Sequence, residues 1–489
     1  MDLQEIIENY VSPEIDENVT YLKKLFSNNS DVIFREFYIG DIKTALVHID
    51  GMVNKDLLND LMRGIMTMAA SNYIEDRSEI KDRLITVSDV STLDDMEKGV
   101  NLLMSGDTLM FVNGLNKFYV IATRYWPARG VSEPSSETVI RGSRDGFTET
   151  IRFNTALIRR RIRDTRLKIV SSPVGIRSKT DMAIIYIDDI VNKDALENLR
   201  ERLDKIKIDA VLDSGYIEQL IEDNKWSVFP QIQSTERPDV VASAVYEGRI
   251  AILVDNSPSA IIIPTVMANL FQSPDDYYQR WIYSSSIRII RFLSIILALV
   301  MPGLYVSITS FHTGIIPTKL AYFISASREG VPFPAFMEAI IMEVSFALLL
   351  EAIARLPKAI GATTGIVGGL IIGQAAVQAG IVSPIMIIIV SVTAITSFTT
   401  PNYEMTTAFR IIRFVLIILS AIAGLYGMMI GLILTLIHLV RLKSFGIPYL
   451  SPMVNENMAD FKDMYLRFPI NLFKKRPKYM KTQDKVRQK

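Results

Sequence analysis

The chain has 489 residues, 49% of them hydrophobic, with 53 basic and 53 acidic side chains and no cysteine. Formal neutrality argues against nucleic acid as a partner of the whole chain, and the missing thiols exclude disulfides, thiol catalysis and thiolate metal sites. His48, His312 and His438 are too scattered for metal-ligand spacing, so neither a metal nor another cofactor is expected.

The opening stretch MDLQEIIENYVSPEIDEN is acidic and lacks the apolar core of a signal peptide, which predicts a cytoplasmic first half. Residues 1–30 read as an N-terminal helical segment. The stretches ALVHIDGMVNKDLLNDL (45–61) and AIIYIDDIVNKDALENL (183–199) then repeat one another, with Val-Asn-Lys-Asp intact in both. Each reads as a short apolar strand, an Asp-led turn and a helix capped near Asn54 or Asn192. A second echo pairs TLMFVNGLNKFYVIA (108–122) with VVASAVYEGRIAILV (240–254), both read as strand–turn–strand. Two homologous α/β subdomains follow from this, over 31–135 and 170–275. Neither contains a P-loop or a G-x-G-x-x-G, and Asp50, Asp188 and Asp189 read as turn or cap residues, so no enzymatic activity is expected.

Between the repeats, 136–169 reads as a basic connector helix. Its arginines include Arg152, Arg159, Arg160 and Arg161, candidates for contact with membrane lipids or with another subunit. A solvated connector fits the same pattern, and no aromatics interleave as a nucleic-acid platform requires.

Beyond residue 280 three uncharged runs, 292–318, 359–403 and 414–440, have the length that a hydrocarbon core demands. A transmembrane domain is therefore expected over 285–442, followed by a basic cytoplasmic tail, 443–489. Arg280, Arg288 and Arg291 place the start of the first span inside, and eight basic residues against one acid in 474–489 place the end inside as well. Two cytoplasmic ends need an even number of crossings, yet 292–311, 335–355, 361–382, 384–400 and 414–440 make five. The odd segment is read as 335–355, because Glu338, Glu343 and Glu351 would be costly against lipid. Pro302-Gly303 reads as a kink whose freed carbonyl a neighbouring helix can satisfy.

Within AIGATTGIVGGLIIGQAAVQAG (359–380), Gly361, Gly365, Gly369 and Gly373 share one side of a helix and form a packing face. Thr363, Val367, Gln374 and Gln378 lie opposite, with Ile371 at the edge. This describes either a pore-lining helix, with Val367 and Ile371 as an apolar constriction and the glutamines as wet wall, or two contact faces in a bundle. A lumen built from so few spans per chain needs several copies around an axis.

REGVPFPAFMEAIIME (328–343), ARLPKAIG (354–361), IVGGLIIGQAAVQAGIVSP (366–384), SFTTPNYEM (397–405) and FGIPYLSP (445–452) resemble the signature stretches of the spore germinant-receptor A subunits, the GerA family, of which the SpoVAF type is a close relative. RGSRDGFTETIRFNTALIRRRIRD in the first half is similar to that family's pattern too. The repeat and the apolar runs together predict an α/β cytoplasmic half built from two duplicated subdomains followed by an all-α helical transmembrane domain. The resemblance implies a place in the spore inner membrane, as a homo-oligomeric, ligand-gated ion channel. Its partners would be a transporter-like B subunit and a C lipoprotein, and cation release would begin germination.

Overall fold

The computed structural model describes residues 11–69, 87, 89–125, 133–134, 137–357, 361, 365, 368–369, 373–454 and 458–488. They fall into two units. The first holds residues up to Asp223, Ile232–Pro264 and Phe473–Lys489, and the second holds Asn224–Gln231 and Thr265–Leu472.

The first unit contains two five-stranded antiparallel sheets. Strands β1 (Val32–Ile39), β2 (Ile42–Ile49), β3 (Val90–Leu93), β4 (Thr108–Val112) and β5 (Phe118–Ile121) are ordered β1-β2-β4-β5-β3. Strands β6 (Leu167–Val174), β7 (Thr180–Ile187), β8 (Gln233–Thr235), β9 (Ile250–Val254) and β10 (Ala260–Ile263) are ordered β6-β7-β9-β10-β8, the same topology. The β2–β4 register sets Leu46 opposite Met110, and the β7–β9 register sets Ile184 opposite Ile252. Two copies of one fold are therefore present. Every residue of β4 and β9 is buried, because helices cover both faces of each sheet. In the first copy Val100 and Leu103 of helix Met96–Leu103 pack on one face, and Leu61 and Ile65 of helix Lys55–Ala69 on the other.

The second echo is corrected by the structure. VVASAVY is not a strand but most of helix Pro238–Tyr246, and only IAILV is β9. Its buried positions, Val241, Ala242, Ala244 and Val245, follow helical spacing, and Pro238 opens the helix where no N–H is needed. The true counterpart of Thr108–Val112 is thus Ile250–Val254, each preceded by a glycine at positive φ, Gly106 at 101° and Gly248 at 88°.

The connector helix is also shorter than expected: among the described residues of 136–169 only Ile151–Arg161 is helical. The end of the chain is docked on the first unit. Gln483 N donates to Ile190 O at 3.2 Å, Asp484 N to Asp189 O at 3.1 Å, and Met480 is 1% exposed.

The second unit is helical. Residues 224–231 and 265–275, which the repeat pattern assigns to the second α/β subdomain, belong here instead. Helices Trp281–Ser310 and Tyr403–Arg441 are long and apolar enough to cross a membrane. With them stand Thr318–Arg328, Ala335–Arg355, Pro384–Ser397 and a partly described helix through 373–378.

Tyr403–Arg441 is not one rod. Ala423 and Gly424 are non-helical, with Gly424 at φ 59° and ψ −138°, a conformation that an L side chain rarely adopts. A Cβ there would also stand 2.8 Å from the His312 ring and 2.9 Å from Phe311 Cβ. The chain reverses at this point: Gly431 packs on Leu416 and Leu419, and Leu439 shares a core with Met405 and Ala408. The run read as a single span over 414–440 is the larger part of a helical hairpin. Its arms, 403–422 and 425–441, are about 30 and 26 Å long at 1.5 Å per residue.

Candidate functional site

The glycines of 361–380 meet different surroundings. An added Cβ would lie 3.4 Å from Ile353 O at Gly361, 3.1 Å from Ile353 Cδ1 at Gly365 and 2.9 Å from Leu349 Cδ1 at Gly368. At Gly373 the nearest atom is Ile387 Cγ2, 3.9 Å away, and at Gly369 the space within 4 Å is open. The glycines thus pack edgewise on helix Ala335–Arg355, with Gly373 turned toward Pro384–Ser397 and a gap at Gly369. Gln374 and Gln378 are exposed, whereas Ala376 and Val377 are half-buried and pack against the core. Thr363, Val367 and Ile371 lie outside the described residues.

The glutamates of 335–355 are placed differently from one another. Glu351 is exposed and paired with Arg355. Glu338 is fully buried: its Oε1 lies 3.1 Å from Arg328 Nη2, and its Oε2 accepts from Ser383 N at 2.7 Å. One carboxylate thereby holds the end of helix Thr318–Arg328 and the start of Pro384–Ser397. Glu343 is 1% exposed and lies 3.0 Å from Arg413 Nη2.

Arg413 does more than neutralise Glu343. Its Nη1 donates to Ala298 O at 3.0 Å and to Ser397 Oγ at 3.1 Å. Ala298 stands four residues before Pro302, which has no N–H, so Arg413 supplies the donor that the proline removes. A single guanidinium therefore ties Trp281–Ser310, Ala335–Arg355, Pro384–Ser397 and the first hairpin arm. Sequence reasoning found the freed carbonyl but not its partner. The available signal was charge inside apolar sequence: Arg410 and Arg413 open the last apolar run, and Glu338 and Glu343 interrupt 335–355 about seventy residues earlier.

Among the connector arginines, Arg159 is not a surface cation. It is 0% exposed, its Nε and Nη2 each donating at 2.9 Å to the two oxygens of Asp31, with Nη2 also 2.9 Å from Asn29 Oδ1 and Nη1 bonded to Leu167 O. Asn29 in turn bridges to Ile169 on β6, so this cation locks the start of the first subdomain onto the second. Its burial rules out direct lipid contact. Arg152 lies 3.7 Å from Asp50, and Arg161 pairs with Asp145 at 2.8 Å. Burial would raise the Asp50 carboxyl, but Lys55 and Arg152 hold it below the usual carboxylate range. Arg160 is exposed.

No group of three or more potential metal ligands occurs among the described residues. What the two units hold, then, is a duplicated α/β fold fastened by arginines and a helical bundle with internal ion pairs. Residues 20–479 match the family described as Bacillus/Clostridium GerA spore germination protein. The chain belongs to that family. Spore germination protein KA of Bacillus subtilis (strain 168) is 42% identical over 98% of this chain and 89% of its own length. Another relative, the uncharacterized membrane protein YfkQ of the same organism, is 40% identical over 97% of this chain and 93% of its own. The crystal structure of the N-terminal domain of the A subunit of the Bacillus megaterium spore germinant receptor GerK3 is 34% identical. It covers 53% of this chain and 98% of that one, with a TM-score of 0.43. GerA membership supports a germinant-receptor role, and the two apolar helices fit a membrane location.

Proposed function

We propose that this chain is the A-type membrane subunit of a nutrient-germinant receptor, and that several copies enclose an ion path which opens when a transporter-like B subunit binds nutrient. A C lipoprotein completes the complex, and release of cations from the spore starts germination. The observation that carries conduction is the two-sided segment 361–380. Gly361, Gly365 and Gly368 press on a neighbouring helix, while Gln374 and Gln378 are exposed on a segment otherwise too apolar for water. Val367 and Ile371 are proposed as the constriction.

The hairpin bears on topology. Splitting the last apolar run at Ala423-Gly424 turns five segments into six, an even number that returns both chain ends to the cytoplasmic side, and 335–355 then needs no exceptional placement. Its buried glutamates support that placement, since each meets an arginine rather than lipid.

Ion flux from liposomes holding the purified protein tests the proposal, with Gln374→Leu and Val367→Ala beside the parent. Flux that Gln374→Leu lowers and Val367→Ala raises is the expected outcome. An intact oligomer in which no variant conducts would reassign the helical unit to a membrane-anchored scaffold.

A further inference from the structure

Residues 224–231 precede the first apolar helix, between elements of the second sheet, yet they pack within the helical unit. The segment is a closed loop. Asn224 N donates to Gln231 Oε1 at 2.9 Å, and Gln231 Nε2 donates back to Asn224 O at 2.7 Å. Inside it, Trp226 N donates to Asn224 Oδ1 and Phe229 N to Ser227 Oγ, both at 3.1 Å. The loop is pinned to the second hairpin arm. Ser227 Oγ lies 3.0 Å from His438 Nε2, and Phe229, 1% exposed, shares a core with Leu439 and Leu442.

On a loop held this firmly, Trp226 is 95% exposed, with Val228 beside it at 38%. The surrounding surface says what covers it. On the arm to which the loop is pinned, Ile437 and Val440 are 44% and 46% exposed, so the apolar stripe continues past His438 before the chain turns basic at Arg441 and Lys443. Trp226 therefore stands at the end of a lipid-length apolar face, on a loop that carries the exposed Lys225 and is bonded to His438, shortly before the exposed Arg441 and Lys443. An indole has an apolar body and one N–H, which suits it to the boundary between acyl chains and headgroups, and basic residues at that level attract anionic lipids.

We infer that the 224–231 loop is a lipid anchor. Trp226 seats at the headgroup–acyl boundary, and Lys225, Arg441 and Lys443 face anionic headgroups. The anchor sets the depth of the second hairpin arm from a part of the sequence that carries no span. It does not depend on whether the helical unit conducts.

The test uses the full chain with Trp126→Phe and Trp281→Phe, which leaves Trp226 as the single tryptophan of the three. The protein is reconstituted in phosphatidylcholine vesicles with and without phosphatidylglycerol, with bromine placed either near the acyl carbonyls or at the bilayer centre. Blue-shifted emission, quenched by shallow bromine far more than by deep bromine, is expected. Lys225→Glu with Lys443→Glu should abolish any increase in quenching brought by phosphatidylglycerol. Trp226→Phe alone, in the otherwise unaltered chain, should lower the shallow-quenched part of the total emission, the remainder coming from Trp281 at the start of the first apolar helix, which guards against misfolding of the single-tryptophan protein. Emission at its position in water without quenching would put the loop in solvent. Blue-shifted but unquenched emission would put it against protein, a second copy or a partner subunit. Either result overturns the assignment.

Discussion

Replacing Arg413 by Met removes three interactions at once, and the structure separates them. At 3.0 Å from Glu343 and an effective dielectric near 20, the Coulomb attraction is about 5 kcal/mol, offset by the cost of burying both charges. Breaking such a pair from one side costs about 3–5 kcal/mol, since Glu343 is left buried without its counter-charge. Glu343→Met with Arg413→Met removes the stranded charge and should recover most of that loss. It still leaves Ala298 O without a donor, which costs about 1–3 kcal/mol. Adding Pro302→Ala restores an N–H four residues after Ala298, so the triple variant should exceed the double by about that amount. The assay is equilibrium unfolding in mixed micelles, followed by fluorescence and by protease resistance of the helical unit. A single and a double variant equally destabilised would refute the stranded charge at Glu343, and no gain from Pro302→Ala would refute Arg413 as the proline's replacement donor.

Gly424→Ala introduces a Cβ at a positive φ and into contact with Phe311 and His312. A loss of about 1–3 kcal/mol or more is expected in the same unfolding assay, whereas Gly369→Ala, with open space around it, should cost far less. Arg159→Met strands Asp31 in the first unit, so thermal melting of the full chain should show that unit weakened by about 3–5 kcal/mol, with Arg160→Met close to the parent. Burial pushes the His48 imidazole below its ordinary value, and its Nδ1 has no hydrogen-bond partner among the described residues. The folded chain therefore binds fewer protons at this site than the unfolded chain does. Stability from this group is present above about pH 6.5 and is lost as the pH falls below it. His48→Phe should flatten that part of a stability–pH profile, and an unchanged profile would count against a buried neutral imidazole.

The order of the two halves, the duplication and the helical unit were legible in the sequence because they rest on local periodicity. Val-Asn-Lys-Asp recurs after an apolar strand in both copies, and long uncharged runs read as long apolar helices. Misreadings arose where one short pattern serves two structures. VVASAVY suits a strand by composition, but its burial follows a helix once Pro238 starts it. The hairpin at Gly424 was hidden for a related reason: a glycine inside an apolar run is tolerated in a straight helix, and tertiary contacts such as Gly431 on Leu416 reveal the reversal. Composition alone could foresee that Glu338 and Glu343 need partners, and that Pro302 frees a carbonyl. Which cation answers each need is a matter of distance in three dimensions, not of spacing along the chain. Only the tertiary structure brings Arg413 to both Glu343 and Ala298, buries Arg159 against Asp31, and carries Trp226 to the end of an apolar helix that begins two hundred residues later.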